Sequence, residues 1–323
     1  MQQTAHPRDP SRVLHLGARA WFLAAMLGQG AFIVFILWFF GGHLAGGDLA
    51  GLNAKPHVTG YVPGDVVGNV QFVGHALAGA LVTLSGAWQL VPALRRRWPR
   101  LHRWNGRVFL AIAVLATLSG FWLTWVRGSQ LGTGSTLSIS LNGLLILGFA
   151  WAAWRSAVRR DFGAHRRHAL RAWLLVNGVW FLRIGIMLAG LLLAPLGIKI
   201  DYTGAVFVGV SFASWLLPLA LLELYLRAER AAPAMRRTVG ALLVAMALLT
   251  LAGSAAAVAF MWWPYLRTQD SAEEIAPPPP VSSATRAATQ RRSRPRSPPL
   301  WPSRRAGPQS PQHNARGSGI SHA

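Results

Sequence analysis

The chain has 323 residues, 52% of them hydrophobic and 13% charged, with a mean hydropathy of +0.34 and a formal net charge of +22. A soluble domain carries about 25% charged residues, so this composition excludes an ordinary soluble domain and indicates a membrane protein. The arginines lie in short clusters between apolar runs and in the tail, a membrane-flanking pattern that argues against a nucleic-acid partner, and the absence of cysteine excludes disulfides, thiolate catalysis and iron–sulfur clusters.

Residues 1–19 are polar and basic and read as a cytoplasmic N-terminus. Residues 21–40 form an apolar run long enough to cross about 30 Å of hydrocarbon. A cleaved signal peptide would have a shorter apolar region closed by small residues; Trp38, Phe39 and Phe40 at the end of this run predict an uncleaved helix. Residues 41–68 read as a Gly- and Pro-containing loop with His43, His57 and one cation, Lys55. Further spans are predicted over 69–91, 108–126, 136–154, 172–193, 203–226 and 239–262. The expected fold is therefore an all-α transmembrane bundle of about seven spans, occupying residues 20–263. Between the fourth and fifth spans, residues 155–171 read as a basic loop. Many of the fifteen tryptophans lie near run ends, among them Trp21, Trp38, Trp104, Trp154, Trp173, Trp262 and Trp263, as interfacial belts require. Glu223 near the end of the sixth span reads as an interfacial anion beside Arg227. Residues 264–323 are rich in Pro, Ser and Arg and predict a disordered tail.

Lys and Arg alternate steeply between successive connections. The N-terminus has three (Arg8, Arg12, Arg19), the turn after the second span six, the loop after the fourth six and the turn after the sixth four. The intervening connections have one each: Lys55, Arg127 and Lys199. The asymmetry predicts a cytoplasmic N-terminus in a bacterial plasma membrane. Seven spans would place residues 270–323 of the tail, with their eight arginines, outside.

No phosphate-binding Gly loop, G-x-S-x-G elbow or H-E-x-x-H helix occurs. Chemistry-bearing residues fall into two groups. In the second span His75, Gly79, Val82, Gly86 and Gln89 recur at offsets that keep them within about 40° of one another on a helix. A stripe of small and polar residues in a membrane helix predicts a helix-packing face, so His75 should face protein. Arg183 on the fifth span and Asn142 on the fourth are expected at similar depth, in the outer half. Intramembrane ionisable residues are costly and default to buried sites; with no carboxylate expected nearby, His75, Gln89, Asn142 and Arg183 predict a pocket for a small anionic or carbonyl-bearing ligand. A structural network tying the helices together is the alternative.

The second group is basic and cytoplasmic: His102, Arg103, Arg107, His165, Arg166, His168 and Arg171. It reads foremost as a collar that orients the protein and contacts the bilayer's anionic headgroups. The spacing of Asp161, His165 and His168 could present three metal ligands, but Gly163 interrupts the helix and no cysteine assists. Bis-histidine haem needs two imidazoles at one depth on facing helices; His75 has no such partner, and His102 could face only His165 or His168. A haem- or quinone-linked electron-transfer protein is the alternative function.

At these residues the chain resembles a large bacterial family of predicted membrane proteins of unknown function. The resemblance rests on His75 with Gly79, Gly86 and Gln89, on His102-Arg103-Trp104-Asn105-Gly106-Arg107 followed by Phe109, on His165-Arg166 with Arg171, and on Arg183, and it covers about residues 70–190. His168-Ala169 stands where the family usually has Trp-Met, and Phe109 where tyrosine is common. The resemblance implies a helical integral membrane protein and no particular reaction.

Overall fold

The computed structural model describes residues 10–55, 59–128 and 131–266, all within one unit, Met1–Glu274. The tail expected over 264–323 lies outside the described residues except for 264–266, which are helical. Every regular element among the described residues is helical. Nine α-helices are named here in chain order: α1 Pro10–Ala45, α2 Val66–Gln89, α3 Pro92–Arg97, α4 Pro99–Trp125, α5 Gly132–Val158, α6 Phe162–Val176, α7 Gly178–Leu193, α8 Ala205–Ala228 and α9 Pro233–Ala256. Seven are long and apolar enough to cross a membrane: α1, α2, α4, α5, α7, α8 and α9. The protein is an all-α membrane bundle.

Adjacent helices close a ring in the order α1, α2, α4, α5, α6, α8, α7, α9, with α9 returning to α1. Helices α1 and α9, the first and last spans, run in the same direction and make the most extensive pair. Glycines let their backbones meet: a Cβ on Gly17 would collide with the Gly240 carbonyl, and a Cβ on Gly240 would lie 2.9 Å from Val13. In lipid such close backbone packing substitutes for a hydrophobic force between helices. The exposed leucines and valines on the outer faces are what a lipid solvent requires.

Several expectations are corrected. The basic segment 155–171 is mostly helix. Asp161 accepts the Ala164 amide at 2.8 Å and so starts α6, in which Ala172, Trp173, Leu174 and Leu175 are buried. The span expected over 172–193 is two helices meeting at Asn177. There the Asn177 side-chain amide donates to the Trp173 carbonyl at 2.8 Å, inserting itself into the helical ladder. Thr83 of α2 donates to Asn177 at 3.3 Å, and Asn142 of α5 donates to the Leu175 carbonyl at 3.2 Å. Neighbouring helices thus satisfy the polar groups at the break, as a low-dielectric surrounding demands. The tryptophans also divide. Trp38, Trp104, Trp154 and Trp263 are exposed, whereas Trp173 and Trp262 are core residues, because the bundle interior has room for their large apolar area. Trp21 is half-buried and donates to Thr250. Glu223 pairs with Arg171 of α6 rather than serving Arg227 alone.

The connection between α1 and α2 is folded. Asn53 accepts the amides of Gly60 and Tyr61, both at 3.0 Å, and Asp48 accepts that of Gly51. Leu52 enters the main core. Asp65 caps α2 through Gly68 and pairs with Arg127, which also donates to Asn69 and the Thr59 carbonyl.

A candidate ligand site among α1, α2 and α7

His75 follows the first turns of α2 and faces α4. A Cβ on Gly120 would sit 3.2 Å from the imidazole Cε1, so the glycine makes room for the ring. The Ala116 carbonyl is the main-chain acceptor beside it; the His75 Nδ1 is buried without a hydrogen-bond partner. Further along the same face Gly86 is filled against Trp173 and Phe109, while Gly79 meets open space. The small-residue stripe is a packing face over part of its length.

Arg183 stands on the second turn of α7. Its Nη1 donates to the Val179 carbonyl at 3.0 Å, and its guanidinium carbon is 5.0 Å from the centre of the Phe32 ring on α1. Its charge is close enough to act on both His75 and Lys55. Lys55, from the folded connection, places its ammonium 3.7 Å from the Phe35 ring centre, 4.7 Å from Phe39 and 5.4 Å from Tyr265. One aromatic stack joins the two cations. Trp262 lies against Phe32 at 5.4 Å and Phe35 at 5.8 Å, and Phe35 stacks on Phe39 at 5.6 Å. Trp262 arrives there because α9 continues as a π-helix over Ala257–Trp262, a local widening that often accompanies functional sites.

Among the described residues neither Arg183 nor Lys55 is in ion-pair contact with a carboxylate. Burial first, and the Arg183 charge second, bring the Lys55 ammonium down to about 6. One turn from Phe32 on α1, Gln29 is 1% exposed and both its amide atoms lack partners. The region thus holds two basic side chains, a buried amide and an imidazole, with acceptors in short supply.

The other expected pocket residues lie elsewhere. Gln89 is 14 residues beyond His75, roughly 21 Å along the helix axis, and donates to the His102 carbonyl at 3.0 Å. Asn142 is engaged at the α6–α7 break, its Nδ2 bonded and its Oδ1 unpartnered. Of the four, the structure brings His75 and Arg183 within mutual electrostatic reach and puts Gln89 and Asn142 in separate settings.

At the opposite, basic end, Arg166 grips Glu229 with two bonds of 3.0 and 3.2 Å, and Arg171 grips Glu223 with two of 2.6 and 2.9 Å. These forks fasten α6 to α8 and its following turn. His165 Nδ1 donates to the Ala153 carbonyl at 2.9 Å, tying α6 to α5. The His168 ring stacks on Phe149, and burial, then Arg171 and Arg167, holds it below the ordinary histidine range. His102 is half-buried, while Arg103 and Arg107 are exposed. Among the described residues no three His, Asp or Glu side chains converge as a metal site.

Lys55, Gln29, Thr83 and Asn177 were absent from the sequence-derived candidates. The stripe of Phe32, Phe35 and Phe39 at helical spacing was the available signal for the aromatic face that receives Lys55.

The model of a family described as "Predicted membrane protein (DUF2306)" matches residues 72–226. The match begins within α2 and ends within α8, so it contains His75, Arg183 and the basic cluster but not α1, Lys55 or α9. No curated protein and no solved structure matches the chain.

Proposed function

Taking the match of residues 72–226 to this family of predicted membrane proteins as support, we propose that the chain is a multi-pass plasma-membrane protein that binds a small anionic or carbonyl-bearing ligand among α1, α2 and α7. Arg183 carries the reading. An arginine stays protonated at accessible pH and offers five N–H donors. Here one donor has the Val179 carbonyl and the cation has a ring face, with no carboxylate beside it. A ligand oxygen would supply the missing acceptors, in the paired geometry a guanidinium favours. His75, near enough to sense Arg183, offers a ring nitrogen to the same ligand.

The cation asymmetry supports a cytoplasmic location for the N-terminus and the basic turns, which puts His75 and Arg183 in the outer half of the bundle. The exposed arginines of α3 and the start of α4 would then meet anionic headgroups. An open cleft of about 510 Å³ lined by Arg97, Trp98, Pro99, Arg100 and Leu101 offers a headgroup room there.

The test uses benzoate and benzamide, an anion and a neutral carbonyl of the same shape. Purified protein in neutral detergent should show a melting midpoint that rises with at least one of them, and the rise should vanish in Arg183→Gln. A wild type that responds to neither of them and retains no anionic lipid, or an Arg183→Gln variant that responds equally, removes the ligand site.

A further inference from the structure

We propose that Lys55 is the specificity-determining residue of this site, selecting an oxyanion carried on an apolar or aromatic body over a neutral carbonyl compound. The inference rests on the ligand site proposed above and adds a residue from outside the family-matched segment.

The argument begins with the position of the ammonium. Lys55 belongs to a connection, where a lysine ordinarily extends into water. Instead it points back over Phe35 and Phe39 of α1 and towards Tyr265. Arg183 reaches the same aromatic face from α7, through Phe32. The two like charges sense each other, and no carboxylate pairs with either among the described residues. Ring faces attract each cation separately but do nothing for the repulsion between them. An oxyanion lying between them would favour the protonated lysine, offset that repulsion and satisfy both groups.

A neutral carbonyl oxygen could serve Arg183 alone, so the second cation is what makes charge count. Phe32, Phe35, Phe39 and Trp262, all buried in the main core, surround the two groups, and such apolar surroundings favour a ligand with an apolar or aromatic body. Gln29, buried and unpartnered one turn along α1, supplies both a donor and an acceptor for a further polar atom. The shared ligand chemistry is an amphiphilic oxyanion, either a free carboxylate or the phosphate of an anionic lipid.

Two measurements test this on the full chain in neutral detergent. Titration calorimetry compares benzoate with benzamide for wild type, Lys55→Gln and Lys55→Arg. Wild type should prefer benzoate, Lys55→Gln should lose roughly tenfold of that preference, and Lys55→Arg should keep most of it. Native mass spectrometry after reconstitution with phosphatidylglycerol and phosphatidylcholine asks whether one phosphatidylglycerol stays bound. Retention lost in Lys55→Gln, without a benzoate response, identifies the lipid phosphate; a Lys55-dependent benzoate preference identifies a free anion. Either result supports the proposal. If Arg183→Gln abolishes benzoate binding while Lys55→Gln keeps the wild-type preference, the ligand site stands and Lys55 is only a strap holding the connection. If wild type binds neither benzoate, benzamide nor phosphatidylglycerol, both proposals fall.

Discussion

The Lys55 ammonium shows how a charge can be held where it is poorly solvated. Its ordinary value of 10.5 falls to about 6, through burial and then through Arg183. At neutral pH Lys55 is therefore mostly the free amine, and an anion arriving beside it favours the ammonium. Binding should take up a proton, and benzoate affinity should weaken by roughly tenfold per pH unit above about 6. The charged and titratable groups around Lys55 are Arg183 from α7, His43 and its partner Asp48 beside Phe39, and Tyr265. Measuring affinity in a His43→Gln background isolates the lysine; a flat profile from pH 6 to 8 would show that Lys55 does not titrate with binding. The same shift bears on folding. The unfolded chain binds the lysine proton between about 6 and 10.5 while the folded one does not, so thermal stability should rise with pH across that window, and Lys55→Met should remove that part of the slope. His75 and Arg183 allow a second test at this scale. If they share a ligand or a network, His75→Ala and Arg183→Ala should show an interaction energy of about 0.5–3 kcal/mol in a double-mutant cycle on detergent stability. Additive losses would make them two separate contacts.

Among the elements, the α6–α7 break decides which face of α7 carries Arg183. A continuous helix through 172–193 would align Ala172, Val176, Val179 and Arg183 along one narrow face. The break at Asn177 divides that face, leaving Ala172 fully buried and Val179 exposed. Asn177, Thr83 and Asn142 hold the junction. Asn142→Ala frees the Leu175 carbonyl and should cost roughly 1–2 kcal/mol, within the range of polar contacts in membrane bundles. It should also weaken benzoate binding if the break positions Arg183. An Asn142→Ala protein with wild-type stability and wild-type binding would mean the junction is held by Asn177 alone. The sequence foretold the seven spans because twenty apolar residues have few other uses. It foretold Arg183 as an oddity because intramembrane charge is rare. It did not reveal α6, although the Asp161 cap was present, because the basic run and Gly163 outweighed it. Nor did it reveal Lys55: its contact with Phe35 and the Phe32–Arg183 contact join distant segments, and no local pattern records such a pairing.

At the scale of the whole molecule, α1 and α9 matter more than the family match suggests. They flank the matched segment, pair through Gly17 and Gly240 and supply Phe32, Phe35, Phe39 and Trp262 to the site. Gly17→Leu should therefore separate the pair, lowering stability and loosening a site that lies several turns away along α1. Seven crossings also make orientation a single question for the entire bundle. The connections at one end carry Arg95, Arg96, Arg97, Arg159, Arg160, Arg227 and Arg230, and those at the other end Lys55, Arg127 and Lys199. Positive residues in short connections remain on the cytoplasmic side, so one asymmetry should orient every helix at once. A chain without cysteine makes the measurement clean. Arg159→Cys and Ala231→Cys mark the basic end, Ala54→Cys and Lys199→Cys the other. In intact spheroplasts a membrane-impermeant maleimide should label Ala54→Cys and Lys199→Cys, and should label the other two only after permeabilisation. The reverse pattern would invert the protein and put the Lys55–Arg183 site in the inner half, with the bundle itself unchanged. Labelling of all four from one side would contradict the alternation of the spans, and with it the arrangement that brings α1 beside α9.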